Sequence, residues 1–280
     1  MKKEAIRGYL IINGEIQKTE ETDIFEKIEK PPIYEVIRII DRVPLFFEDH
    51  LNRMLESAKI IDYKIPRTEN EIRNDIKTLI YKNEIDRLNV KLLTTDVDGY
   101  GRVFLVYNIE SFYPPEEYYT KGIHTTLFHY ERQNPNAKVQ VAQFKENIAK
   151  ALKEKDAFEA LLVNKSGYIL EGSRSNMFFV KGDRVFTAKA SEVLLGITRK
   201  YIFDVCQRLN IRIIEESIHV DDLNKVDGAF MSGTSVDVLP ISTIDDIKLD
   251  SVNNRIIKEI GKGYLDLRNS YIEANKSQWK

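Results

Sequence analysis

The chain has 280 residues, with 42 basic and 44 acidic side chains and a formal net charge of −2. That length allows two domains of ordinary size, and the near balance of charge argues against nucleic acid as the main partner, because phosphate backbones call for a basic surplus. A lone cysteine, Cys206, cannot build a disulfide framework or a zinc site and fits a reducing, cytoplasmic setting, and no stretch approaches the ~20 apolar residues of a membrane helix.

Residues 5–18 alternate and turn at Asn13-Gly14, which predicts a β-hairpin. Residues 34–40 predict a strand, with Asp41-Arg42 turning it into residues 43–47. From Glu48 to Ile61 the spacing of Leu51, Met54, Leu55, Ala58 and Ile61 predicts a helix with those side chains on one face. Thr68 caps a second helix running to residue 82. Strands follow at 88–95 and 102–109, with Gly99 and Gly101 at their turn. The run from Phe112 to Glu117 holds two consecutive prolines, which stop both helix and sheet. It divides an N-terminal α+β domain, 1–113, from a mixed C-terminal domain, 122–280, with 114–121 as linker.

The second half opens with a strand near 122–130, followed by the turn-rich Asn134-Pro135-Asn136 and then Lys138. A helix is expected over 143–155, strands at 159–163, 168–170, 176–180 and 184–187, and a helix over 198–209. Cys206 reads as its buried filler. Further strands fall at 211–216, 229–231 and 237–241, and 252–275 reads as a charged amphipathic helix. The fold class is α+β in two domains. The four histidines, His50, His124, His129 and His219, show no metal-binding spacing.

Four polar segments interrupt these elements. Glu171-Gly172-Ser173-Arg174-Ser175-Asn176 sets a carboxylate between two apolar strands, where it must be paired or neutral; it also reads as a tight polar turn. Leu195-Gly196-Ile197-Thr198-Arg199 opens a helix. A glycine and free N–H groups there suit a phosphate, though Thr198 also reads as a plain cap. Ser232-Gly233-Thr234-Ser235 follows an apolar strand and offers N–H and O–H donors, as ordinary turns do. Arg53, one turn into the first helix, reads as a solvated side chain or as an anion contact. Together these supply an anion site and a carboxylate, but no reaction.

In order and spacing, Glu-Gly-Ser-x-Ser-Asn at 171–176, Leu-x-Gly-Ile-Thr-Arg at 194–199 and Gly-Thr-Ser at 233–235 resemble the class IV pyridoxal-5′-phosphate (PLP) enzymes. That family includes branched-chain aminotransferases, D-amino acid aminotransferases and 4-amino-4-deoxychorismate lyases. Glu48 to Arg53 resembles the family's N-domain helix start, and Tyr34-Glu35-Val36 its strand with a site-facing tyrosine. The resemblance implies the two-domain class IV fold, with most of the cofactor site in the C-terminal domain.

Carried over residue by residue, the resemblance implies that Glu171 keeps the pyridine nitrogen protonated. It gives the cofactor phosphate to Arg53, Ile197, Thr198 and Thr234. It places Ser235 and Val236 near the substrate carboxylate and Tyr34 in the substrate pocket. The Schiff-base lysine of the family precedes the Glu-Ala-Leu-Leu strand by the interval that separates Lys138 from Glu159 here. Lys145, the rival, comes seven residues later and falls within the expected helix. Val141 and Ala142 stand where the family often has Asn and then Tyr or Leu. The implied activity is transamination between an amino acid, possibly branched-chain, and a 2-oxo acid. The alternative is a PLP lyase releasing pyruvate and 4-aminobenzoate. The resemblance also implies a homodimer.

Overall fold

The computed structural model describes residues 3–132 and 134–279. Its contacts divide the chain into two compact units. The first takes the chain up to Phe112, then Ala137–Val141, then everything from Arg268 onward. The second takes Tyr113–Asn136 and Ala142–Leu267. A single boundary at 114–121 therefore does not describe the chain: the five residues around Lys138 and the C-terminal tail group with the first unit. Most of the expected linker is a short helix, α3 below, because Pro115 leads a chain into a helix as readily as it ends one.

The first unit is a six-stranded sheet with two helices. Its strands are β1 (Tyr9–Ile12), β2 (Glu15–Lys18), β3 (Ile33–Ile40), β4 (Val43–Pro44), β5 (Arg87–Val97) and β6 (Gly101–Ile109), in the order β2-β1-β6-β5-β3-β4. Two tight turns use left-handed backbone: Asn13 and Gly14 at φ 50° and 91°, and Asp41 and Arg42 at 51° and 66°. Such paired positive φ values match the twist of flanking antiparallel strands. The core on one part of this sheet gathers Leu10, Phe25, Leu93, Leu105 and Tyr107.

Helix α1 (Phe47–Ile60) packs on β3. It buries His50, Leu51, Met54, Ser57 and Ala58, whereas Leu55 and Ile61, expected on the same face, are 47% and 39% exposed. Two polar side chains take the inward positions instead, because this face also builds a polar site. Helix α2 (Glu69–Lys82) begins at Thr68, whose hydroxyl accepts from the Glu71 N–H while Glu71 accepts from Thr68 N–H.

The second unit begins with α3 (Glu116–Lys121) and carries β7 (Ile123–His129), α4 (Ala142–Glu154), β8 (Glu159–Val163), β9 (Tyr168–Gly172), β10 (Asn176–Lys181), β11 (Arg184–Thr187), α5 (Ile197–Arg208), β12 (Arg212–Glu215), β13 (Ile218–His219), β14 (Gly228–Gly233), β15 (Asp237–Ile244) and β16 (Ile247–Lys248). Its sheet runs β12-β11-β10-β14-β15-β7-β8-β9-β13, with β16 on β15. A further pairing of β9 with β10, Glu171 opposite Asn176, closes β10-β14-β15-β7-β8-β9 into a ring. The ring encloses apolar side chains including Leu161, Met177, Met231, Leu239 and Ile241. Cys206 on α5 is 1% exposed, and burial pushes its thiol up to about 12, so it is inert filler.

Helix α6 (Arg255–Asn275) starts among residues of the second unit and ends among those of the first. Among the described residues no helix is long and apolar enough to cross a membrane.

Candidate active site

In the first unit, Lys138 lies on a segment beside β3. The segment is pinned by main-chain bonds: Tyr34 N–H donates to the Lys138 carbonyl at 3.2 Å, and Gln140 N–H to the Pro32 carbonyl at 3.0 Å. From the other side, the Lys138 N–H donates to Oγ of Ser57 on α1 at 3.1 Å. Both backbone polar groups of Lys138 are therefore fixed, and its side chain is the part left to work. The Lys138 ammonium nitrogen lies 4.7 Å from the centre of the Tyr34 ring. Lys145 belongs to α4, as its spacing implies.

Next to Tyr34, Glu35 is wholly buried. It holds His50 Nδ1 at 2.8 Å and takes two bonds from Arg53, from Nε at 2.8 Å and Nη2 at 2.6 Å. Burial pushes the Glu35 carboxyl up, but Arg53 and then His50 more than reverse this and bring it to about 2. Burial pushes His50 down, beyond what Glu35 restores. Arg53 is thus no solvated surface residue: its side chain is 10% exposed and locked by a two-point carboxylate contact.

The second unit gathers its motifs at one end of the closed ring. The turn from Glu171 to Asn176 joins β9 to β10. Asn176 faces Ser232 at the end of β14, and Gly233 faces Asp237 at the start of β15. The Asn176 amide donates to the Leu194 carbonyl at 2.8 Å, and Glu171 accepts from the Leu194 N–H at 3.1 Å. These register pairs and bonds bring three separate sequence motifs together.

Their glycines follow from crowding. A Cβ on Gly172 would meet Ser175 Oγ at 2.0 Å, and one on Gly196 would meet Asn176 Oδ1 at 2.1 Å. Gly196 stands at the N-cap of α5, and no side chain caps that helix. The first-turn N–H groups of Ile197 and Thr198 are therefore presented with the positive end of the helix dipole. Arg199 turns away, donating to the Ala188 carbonyl at 3.0 Å and to Glu215 at 2.7 Å. Thr234 and Ser235 sit in the tight turn between β14 and β15. Val236 closes that turn, its N–H donating to the Gly233 carbonyl at 3.2 Å and its carbonyl accepting from Tyr119 at 3.2 Å.

The pairing that a buried Glu171 requires comes from Arg132. Its Nε lies 2.8 Å from Oε1 of Glu171, a contact of charge in which the N–H is not aimed at the oxygen, while Nη2 donates to the Ser173 carbonyl at 2.8 Å.

Several contributors escape a reading of the sequence. Glu159, fully buried, accepts from the Ser173 N–H at 3.1 Å, Ser173 Oγ at 2.5 Å and Ser175 Oγ at 2.9 Å, and so shapes the 171–176 turn. Its signal was a carboxylate heading the apolar run Glu-Ala-Leu-Leu. Asn136 donates to the carbonyls of Ala190 and Val193 at 2.9 and 2.8 Å. Glu35 was visible as a carboxylate in an otherwise mostly apolar strand, IYEVIRII. Arg132 and Ser57 carry no local signal.

Comparison with known proteins agrees with this geometry. The amino-transferase class IV family matches residues 32–244, well over half of the chain. The chain is 26% identical over 249 residues to a branched-chain-amino-acid aminotransferase of Pseudomonas aeruginosa, covering 82% of this chain and 80% of that protein. It is 26% identical over 238 residues to a D-alanine aminotransferase of Listeria monocytogenes, covering 78% and 79%. The fold matches the crystal structure of the Escherichia coli branched-chain amino acid aminotransferase with a TM-score of 0.84 at 23% identity, covering 94% of this chain and 95% of that one. With the carboxylate turn, the uncapped helix start and the 233–236 turn gathered at one end of a closed sheet, this chain belongs to the class IV aminotransferases, PLP enzymes that move an amino group between an amino acid and a 2-oxo acid.

Proposed function

We propose that Lys138 is the lysine that binds PLP covalently and that its Nζ takes the α-proton from the substrate and returns it. Bound there, the cofactor supplies an electron sink for the α-carbon. The residues present fit such a group. The cradle at Gly196, closed to any side chain by Asn176, and the uncapped start of α5 suit a phosphate. Ile197 and Thr198 hold that phosphate through N–H and hydroxyl groups, Thr234 adds a contact, and Arg53, set by Glu35, adds charge. Glu171 holds a proton at the ring nitrogen, with Arg132 keeping its carboxylate in place. Tyr34 lines the substrate pocket, and Ser235 and Val236 face the substrate carboxylate.

We infer that the amino donor is a branched-chain amino acid, as named for the Pseudomonas relative, with D-alanine, named for the Listeria relative, as the competing substrate. The observation that carries the PLP reading is the meeting of Glu171, Leu194 and Asn176 at one end of the ring, and the aminotransferases among the relatives favour transfer over lysis. A lyase needs no amino acceptor, so half-reactions decide the matter. Purified enzyme given L-leucine, D-alanine or 2-oxoglutarate is followed by the visible absorption of the cofactor. Bleaching by one amino acid and recovery with the 2-oxo acid supports transamination. Sustained release of pyruvate and 4-aminobenzoate from 4-amino-4-deoxychorismate without any acceptor, with no bleaching by either amino acid, rejects it.

The working form we propose is a homodimer in the cytoplasm. Exposed Leu55 and Ile60 on α1 and Ile61 just after it offer a surface for a second copy, and a single buried thiol suits a reducing compartment. Light scattering at the mass of one chain would reject the dimer.

A further inference from the structure

Lys91 is an unusual residue for its position. It lies inside β5 and is 3% exposed. Burying an ammonium costs several kcal/mol unless partners offset the loss of water. Its partners are specific. Lys91 Nζ lies 2.5 Å from Oε2 of Glu4 and 2.7 Å from Oε1 of Gln140, and sits 4.8 Å from the centre of the Tyr34 ring. Glu4 is also the acceptor of the Tyr107 hydroxyl at 3.3 Å. The same Tyr34 ring has Lys138 at 4.7 Å.

Gln140 is two residues beyond Lys138, on a segment that turns tightly at Lys138, where the Val139 N–H donates to the Ala137 carbonyl at 3.0 Å. The segment is tied at its backbone by Ser57, Tyr34 and Pro32. The Gln140 amide adds a side-chain tie, through Lys91, to the Tyr34 ring that Lys138 also approaches. Of the positions after the lysine, Val141 is 46% exposed and makes no polar bond of its own side chain.

We propose that Lys91 and Gln140 are positioning residues for Lys138, with the half-buried Glu4 as the counter-ion that holds Lys91 in place. This rests on Lys138 being the cofactor lysine. Replacing Lys91 alone takes the cation away from Glu4 and lowers stability. Misplacing a reacting group by about 1 Å can lower a rate by about 10²-fold. Lys91 should therefore matter to turnover as well as to folding, and the two are read separately.

The test uses holoenzyme carrying Lys91→Met, Gln140→Leu and both together, with Gln140→Glu as the conservative variant that keeps an oxygen for Lys91. Borohydride fixation with peptide mapping is run first on the unaltered protein. Label elsewhere than Lys138 overturns the cofactor assignment itself and the proposal with it. With Lys138 labelled, each single variant should lower kcat by about tenfold or more with KM changed by less than about threefold. The bound-cofactor circular dichroism should weaken. The double variant should be no worse than Lys91→Met, which already removes the Gln140 contact, and Gln140→Glu should stay near the unaltered rate. Unchanged kcat in Lys91→Met, or losses that multiply in the double variant, would overturn the proposal. A lowered melting temperature with kcat intact would show a structural role only.

Discussion

The two units hold their functional groups by different means. In the second, the parts are main-chain N–H groups, glycines and short side chains: the Gly172 turn, the Gly196 helix start and the 233–236 turn. In the first, the parts are long charged side chains in buried contact: Glu35 with Arg53 and His50, and Lys91 with Glu4 and Gln140. A backbone cradle tolerates little added volume and is insensitive to pH. A buried charge cluster responds to any loss of charge. The first kind suits a fixed anion, the second a lysine whose amine must be placed and moved.

Breaking the carboxylate at the ring end should give the largest effect on rate. Glu171→Gln keeps the shape and the Leu194 contact but removes the charge opposite Arg132. We expect kcat to fall on the order of 10²-fold or more with the cofactor still bound, as for loss of a preorganised electrostatic group. Steady-state kinetics together with cofactor absorbance checks this.

Next comes the charge cluster. Glu35→Gln leaves Arg53 and His50 without their carboxylate, and removing one partner of a buried ion pair costs about 3–5 kcal/mol. Denaturant unfolding measures it. The unaltered protein carries the matching pH signature. Glu35 is held at about 2, below its unfolded value of about 4.3, so its contribution is whole above that unfolded value and is lost as pH falls toward about 2. His50 is also depressed, so acidification below about 6.5 weakens the fold in the same direction. Melting temperature should therefore decline from neutral pH downward, and Glu35→Gln should flatten the most acidic part of that curve.

The cradle gives a smaller and pH-independent effect. Gly196→Ala places a Cβ against Asn176 Oδ1 and forces the amide off the Leu194 carbonyl. The backbone accepts alanine, at φ −62°, so the loss is that of a buried bond, about 1–3 kcal/mol. It should appear as weaker phosphate and PLP affinity in a binding titration, with little change in the pH curve.

What the sequence makes legible follows the same division. Motifs made of glycine and turn residues declare themselves locally, because only certain residues fit a crowded turn. Glu171, Gly196 and Thr198 stand out for that reason. The closed ring does not show, since its seam is one pairing, Glu171 with Asn176, set by strand order rather than by pattern. Long helices and strands are clear from period, while β13, β16 and α3 are too short to carry one. The placement of Lys138 with the first unit is invisible for a similar reason: Ser57, Tyr34 and Pro32 hold it from far along the chain. Leu55 and Ile61 mislead, because helical period cannot tell which part of an apolar arc is covered.

The smallest expected effect is also remote in sequence. Helix α1 has no side-chain cap of its own, and Phe46 before it is left-handed at φ 55°. The hydroxyl of Tyr271 on α6 accepts from the Phe47 N–H at 3.2 Å and donates to Glu48 at 2.8 Å. Tyr271→Phe should cost about 1 kcal/mol, as loss of a cap does, and loosen the helix that carries Arg53 and Ser57. Hydrogen exchange in α1 reads it.

The central claim is that Lys138 carries the cofactor. Borohydride reduction of the PLP-loaded protein, followed by peptide mapping of the unaltered chain and of Lys138→Ala, tests it directly. The account predicts a single label on Lys138 in the first and no label with no transamination in the second, the fold being kept. A label on Lys145, or a labelled and active Lys138→Ala protein, would contradict it.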